Sequence, residues 1–260
     1  LPGMSAEDFP PFPEFSEESL LQFKGRELKE MIRKTMFSVS PDETRKGISG
    51  LLLEKENGRV TMVGTDGHRL ASISRMAAGA EGDKEDFILP KKALSELLKF
   101  MEDDDAVFNF SARENHLAFM QGRQVLVSRA IDGKFPNYRQ VIPSDNELKI
   151  TVSKDGLLHA LKRVALLADE QSKMVRFEVD KGILTLISDN TELGAAREEL
   201  VINHQGEEVQ IGLNARYVLD ILGAVEQNEV VMNLKDKDHS CLFSLKEDPD
   251  YLSLVMPMRL

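Results

Sequence analysis

The stretch Lys24–Phe37, KGRELKEMIRKTMF, is echoed in kind by Lys154–Ala168, KDGLLHALKRVALLA. In the first, Leu28, Met31, Ile32, Thr35 and Met36 fall at i, i+3, i+4, i+7 and i+8, which is one face of a helix. In the second, the same face is Leu157, Leu158, Leu161 and Ala165. Each stretch precedes a hairpin signal. Glu56-Asn57-Gly58 lies between Ile48–Lys55 and Arg59–Gly64, and Asp180-Lys181-Gly182 between Arg176–Val179 and Ile183–Ser188. Two more helices follow from the same period: Lys91–Met101, with Leu94, Leu97, Leu98 and Met101, and Asn214–Val225, with Val218, Ile221, Leu222 and Val225 behind an Asn214 N-cap. Setting Leu28 on Leu157, and Leu89 on Leu213, superposes the pairs at offsets of 129 and 124 residues. Further strands are expected at Val107–Ser111, Leu117–Gln121, Gln124–Arg129, Val209–Gly212, Glu229–Leu234 and Ser240–Leu245.

This order predicts an α+β fold with two copies of one domain of about 125 residues. The expected units are residues 16–144 and 145–260, each with two helices packed on one side of antiparallel sheet. Leu1–Phe15, with Pro2, Pro10, Pro11 and Pro13, reads as an extended linker. A start at Leu rather than Met points to a fragment or processed product.

Composition narrows the class. The 260 residues carry a formal charge of −11, one Cys, no Trp and 42% apolar residues, enough for real cores. A single Cys excludes a disulfide framework and a Cys-based zinc site. No run approaches the ~18 apolar residues of a membrane span, and no signal-peptide pattern is present, so a soluble cytoplasmic protein is expected. The net charge argues against a nucleic-acid partner only when taken whole. The four helical stretches hold 12 basic and 5 acidic residues, so the acidity belongs to the rest. Arg26, Lys29 and Arg33 share one face of the first helix, opposite its apolar stripe, which suits a helix facing phosphates. An ordinary solvated helix surface gives the same pattern.

Catalytic signals are sparse. The five His show no metal-ligand spacing, and there is neither a nucleophile elbow nor a Gly-rich phosphate loop. Cys241 falls in an expected strand and reads as core. Asp103-Asp104-Asp105 reads as a solvated turn. No cofactor and no metal are expected. Two stretches are more particular: Gly64-Thr65-Asp66-Gly67-His68-Arg69-Leu70-Ala71, and the end Leu254-Val255-Met256-Pro257-Met258-Arg259-Leu260. The bland alternative for both is a hairpin turn and a last core strand.

At these two stretches, and at Phe135-Pro136-Asn137-Tyr138-Arg139 with Ile142-Pro143, the sequence resembles the bacterial sliding clamp family, the β subunit of DNA polymerase III. The resemblance spans the chain and implies a non-catalytic DNA processivity factor. Members have three such domains per subunit, and two subunits close head to tail around duplex DNA. Here the first domain, half of the subunit interface, is absent. The resemblance thus implies a fragment of second and third domains, a homodimeric ring when full length, and a fragment that can be monomeric. The family binds short linear peptides of the polymerase III catalytic subunit, clamp loader and repair proteins between these two domains. Matching positions are Arg45, Ile48, Thr65, Gly67, His68, Arg69 and Leu70, then Pro136, Gln140, Val141, Ser172, Asn214, Tyr217, Met256, Pro257, Met258 and Arg259. Gln140 stands where an Arg is familiar, Ser172 where an aromatic can occur, and Lys46-Gly47 where a Tyr pair can occur.

The residue chemistry agrees with this picture. Leu70, Val141, Leu254 and Met256 can form an apolar pocket, with His68, Arg69 and Asn214 as polar guides. Arg26, Lys29, Arg33, Lys162 and Arg163 are the expected DNA-facing residues. Two other classes remain open: a hydrolytic enzyme using Asp66 and His68, and an interaction scaffold without DNA.

Overall fold

The computed structural model describes residues 3, 21–190 and 194–260. The expected linker lies outside the described residues, apart from Gly3. The first half runs β1 (Leu21–Lys24), α1 (Gly25–Met36), β2 (Gly50–Glu56), β3 (Arg59–Thr65), β4 (Arg69–Met76), β5 (Glu85–Pro90), α2 (Lys91–Phe100), β6 (Val107–Arg113), β7 (His116–Gln121) and β8 (Gln124–Arg129). The second runs β9 (Leu148–Ser153), α3 (Lys154–Val164), β10 (Met174–Asp180), β11 (Ile183–Asn190), β12 (Gly194–Val201), β13 (Val209–Asn214), α4 (Ala215–Ala224), β14 (Glu229–Leu234), β15 (Cys241–Ser244) and β16 (Tyr251–Val255). The kinds of element follow in the same order in both halves.

The strand order repeats as well. One four-stranded sheet is β1-β6-β7-β8, and another is β12-β11-β10-β13. The third sheet has eight strands, β5-β2-β3-β4-β16-β15-β14-β9. Each half therefore supplies two four-stranded antiparallel pieces. The eight-stranded sheet is one piece from each half, sewn antiparallel along β4 and β16 from Tyr251↔Ile73 to Val255↔Arg69.

All four helices lie where their periodicity places them. On α1, Leu28, Met31 and Ile32 are fully buried, each worth about 2 kcal/mol of apolar burial. Ser153 caps α3 by accepting from the Gly156 N–H, and Asn214 caps α4 by accepting from the Arg216 N–H. Helix α1 touches both α2 and α4, and α4 touches α3, so the helices form one row, α2-α1-α4-α3. The alternation along β2 and β3 separates two sheet faces. Leu51, Leu53 and Met62 join the main core under the helices, while Leu52 and Val63 face the other way.

Six strands escaped the sequence pattern: β1, β4, β5, β9, β12 and β16. Strand β1 has four residues, and β12, GAAREELV, is exposed and poor in β-branched residues. The strand expected from Ile48 begins at Gly50 instead, after a 3-10 turn at Lys46–Ile48. Gly50 lies so close to β5 that a Cβ there would sit 2.5 Å from the Leu89 carbonyl oxygen.

Candidate functional site

The turn from Thr65 to Arg69 is wired by its own side chains. Asp66 Oδ1 accepts from the N–H groups of His68 (2.9 Å) and Arg69 (3.1 Å). Thr65 Oγ1 donates to the Arg69 carbonyl at 2.6 Å and accepts from the Gly67 N–H at 3.1 Å. Gly67 has φ +94°, and a Cβ on it would meet the Arg45 guanidinium at 3.2 Å. Arg45 Nη1 donates to the Asp66 carbonyl at 3.0 Å. Glycine is required here on both counts.

The seam carries the turn to the chain end. Leu70 pairs with Leu254, and the Met256 N–H donates to the His68 carbonyl at 2.9 Å. Leu70 and Leu254 form a buried floor with Ile48, Leu52, Val63 and Ile88, on the sheet face away from the helices. The segment after β8 crosses this face. Ile131 donates to the Ile88 carbonyl at 2.9 Å, and Phe135 and Tyr138 pack into the cluster. Their rings meet edge to face with centroids 6.4 Å apart. Val141 (49% exposed), on the crossing segment, and Met256 (42% exposed), just after β16, offer apolar side chains to solvent.

Glu54 pins the crossing segment. It is buried within β2, yet binds Arg139, Lys84 and the Tyr138 hydroxyl. Burial alone would raise its pKa, but Arg139 and Lys84 outweigh that and hold the carboxyl below its ordinary value. The Tyr138 phenol is pushed up to about 12 by burial and by the Glu54 charge.

The structure thus brings together Arg45, Ile48, Thr65, Gly67, His68, Leu70, Leu254 and Met256, with Pro136, Gln140 and Val141 on the crossing segment. A second group gathers around β13 and the start of α4. Asn214 Nδ2 donates to the Ser172 carbonyl at 3.1 Å, and the Met258 N–H donates to the Gly212 carbonyl at 2.8 Å, with Pro257 and Arg259 on either side. Two expected polar guides are occupied. Asn214 spends both side-chain atoms on the α4 cap and on Ser172. Arg69 is buried and bound to Asp66, Asp220 and the Phe37 carbonyl, with its guanidinium 4.4 Å from the Tyr217 ring centroid. The Asp66–His68 acid/base alternative also fails on geometry. The His68 backbone, not its ring, donates to Asp66, and both Asp66 oxygens are already used.

On the helical side, Arg26, Lys29 and Arg33 line a cleft of about 280 Å³ with Lys34, Ala224 and Gln227 and with three carboxylates, Glu30, Asp104 and Glu226. Lys29 is bound to Asp104 at 2.5 Å, which holds that carboxyl below its ordinary value. Lys162 and Arg163 are exposed on α3, and Arg163 makes a two-pronged contact with Glu198 of β12 at 2.7 and 2.9 Å.

Sequence reasoning missed Glu54, Asp220 and Asp248. Glu54 left a signal, a carboxylate directly after the apolar run Leu51-Leu52-Leu53 within an expected strand. Asp248 accepts from Lys34 at 2.8 Å and from Arg75 at 2.8 and 3.0 Å, joining the halves on the helical side. Its partner residues lie too far along the chain for any local pattern to reveal.

Residues 22–137 match the family description "DNA polymerase III beta subunit, central domain", and residues 139–259 match "DNA polymerase III beta subunit, C-terminal domain". The beta sliding clamp of Pseudomonas putida is 30% identical over 260 residues, covering 100% of this chain and 71% of that protein. The beta sliding clamp of Caulobacter vibrioides is 33% identical over 263 residues, with 100% and 71% covered. A crystal structure of the DNA polymerase III subunit beta from Pseudomonas aeruginosa superposes with a TM-score of 0.94 at 30% identity, covering 99% of this chain and 70% of that one. Another clamp structure from that organism, bound to griselimycin, gives a TM-score of 0.93 at 30% identity, with 99% and 70% covered. Two matched domains in family order, on a fold shared along nearly the whole chain, establish that this chain belongs to the DNA polymerase III beta subunit family, the beta sliding clamps.

Proposed function

We propose that this chain serves as the partner-binding portion of a DNA sliding clamp, with units at residues 16–144 and 145–260. The groove over Leu70 and Leu254 takes short linear peptides of the polymerase III catalytic subunit, the clamp loader and repair proteins. Tethering raises the effective concentration of these proteins on the template without any new catalytic step. The observation that carries this reading is the seam, where Leu70 pairs with Leu254 in a buried apolar cluster and the exposed Met256 hangs from the His68 carbonyl beside it. A few apolar anchors seated there would dominate affinity.

Duplex DNA is the partner of the helical face, met through Arg26, Lys29, Arg33, Lys162 and Arg163. Contacts to phosphates alone carry no sequence information and weaken with salt, as sliding requires. Among the described residues no helix is long and apolar enough to cross a membrane. We place the protein in the cytoplasm, where replication proceeds.

Griselimycin, which the Pseudomonas aeruginosa clamp binds, is a ready probe. Titrated calorimetrically, Leu70→Ala with Met256→Ala should weaken it at least about tenfold. Equal affinity would remove the groove assignment. Glu at Arg26, Arg33 and Lys162 should flatten the salt dependence of binding to a short duplex, and an unchanged slope would take DNA away from the helices.

A further inference from the structure

Each nitrogen of the Arg69 guanidinium has a partner, and the partners come from both halves. Nε donates to Asp66 Oδ2 at 3.0 Å, and Nη2 donates to the Phe37 carbonyl at 2.6 Å. Nη1 donates to Asp220 Oδ2 on α4 at 2.5 Å. The guanidinium carbon lies 4.4 Å from the Tyr217 ring centroid and 5.6 Å from that of Phe37. Arg69 is the planar, always charged group that such a fork between two rings and two carboxylates demands. The side chain is 9% exposed, so these partners stand in for the water that burial removes.

The same residue is built into the groove. Its N–H and Nε both hold Asp66, its carbonyl accepts from Thr65, and its backbone pairs with Val255. The neighbouring His68 carbonyl holds the Met256 N–H. Arg69 therefore cannot move without taking the Gly67-His68 turn with it, and His68 cannot move without taking Met256. Among the described residues, Asp220 supplies the second-half carboxylate that fixes where Arg69 sits.

We propose that Asp220 is a positioning residue for the peptide groove: through Arg69 it sets the Gly67-His68 turn, and with it Met256, against Tyr217. The proposal rests on the groove being the peptide site. It differs from simple adhesion between the halves, because the structure contains a second inter-half cluster for comparison. Asp248 joins the halves through Lys34 and Arg75, and Lys34 lies 5.1 Å from the Tyr251 ring centroid. None of these residues belongs to the groove.

The test uses the full chain, with griselimycin as the probe. Calorimetric titration compares wild type, Asp220→Asn, Asp220→Glu, Asp248→Asn and Leu70→Ala. Carbon-13 NMR follows the His68 ring and the Met256 methyl in each. Asp220→Asn should weaken binding about tenfold and shift both signals, as expected for coupled neighbouring residues. Asp220→Glu should recover most of the affinity. Asp248→Asn should stay within about twofold of wild type with both signals unmoved. Wild-type affinity in Asp220→Asn, beside a loss in Leu70→Ala, overturns the proposal. So does an equal loss in Asp248→Asn, which would mean that any loosening of the joint suffices. Unchanged binding in Leu70→Ala overturns the groove itself, and the proposal with it.

Discussion

In the first half, the sheet face away from the helices carries Leu52, Val63, Leu70 and Ile88, and Phe135 and Tyr138 close over it. At the corresponding ladder positions the second half carries Arg176, Ile187, Ala195 and Gly212. Glu54 in the first half matches Glu178 in the second. Glu54 is buried under the crossing segment, whereas Glu178 sits half-buried beside Arg176 at 3.0 Å. Even the exit segments match. Ile131 binds the Ile88 carbonyl in one half, and Met258 binds the Gly212 carbonyl in the other. The first exit packs Phe135 and Tyr138 on an apolar face, while the second meets a face with small residues and the Arg176–Glu178 pair. The same topology thus tolerates two different outer faces. The outer face is left for binding.

Phe135→Ala should affect that difference most. It removes a buried aromatic from the first half's outer cluster and should cost about 3 kcal/mol in denaturant unfolding. A cost under about 1 kcal/mol would mean the crossing segment is a loose cover. Glu54→Gln should cost about 1–2 kcal/mol, since Arg139 and Lys84 are half-exposed and can hydrate in its absence. The acid limb of the stability curve checks its charge. The folded carboxyl is held below its ordinary value, so its contribution is present above about pH 4.3 and is lost as pH falls through the folded pKa. The gap in melting temperature between wild type and Glu54→Gln should therefore shrink on acidification, and a constant gap would assign the effect to packing. Glu178→Gln should change stability by less than about 1 kcal/mol, since this pair lies within reach of water. A loss equal to that at Glu54 would erase the contrast.

Helices and hairpins were legible because amphipathic period and Gly turns are local. Leu28 with Leu157, and Leu89 with Leu213, located the repeat. Strands β4 and β16 were hard to read, because each overlaps a stretch that reads first as a turn or a tail, and their pairing spans the chain. Candidate groove residues came from family resemblance, which names positions but not orientations. Arg69 shows the limit: the motif names its position, while its side chain turns to Asp220 of α4. The contacts of Lys34 with Asp248 and of Arg69 with Asp220 join residues 214 and 151 positions apart. No periodicity encodes such meetings. They exist only after the seam forms.

That seam is built from peptide groups. The bonds between β4 and β16 come from N–H and C=O atoms that every residue except Pro can offer. Substitution at Leu70 or Leu254 changes what the groove grips without removing a stitch. Strand twist also carries across the join, so the angle between the units is inherited from backbone sterics. Ligand preference can thus diverge between lineages while the joint keeps one shape. Variation in taste and constancy of form are assigned to different atoms of the same residues.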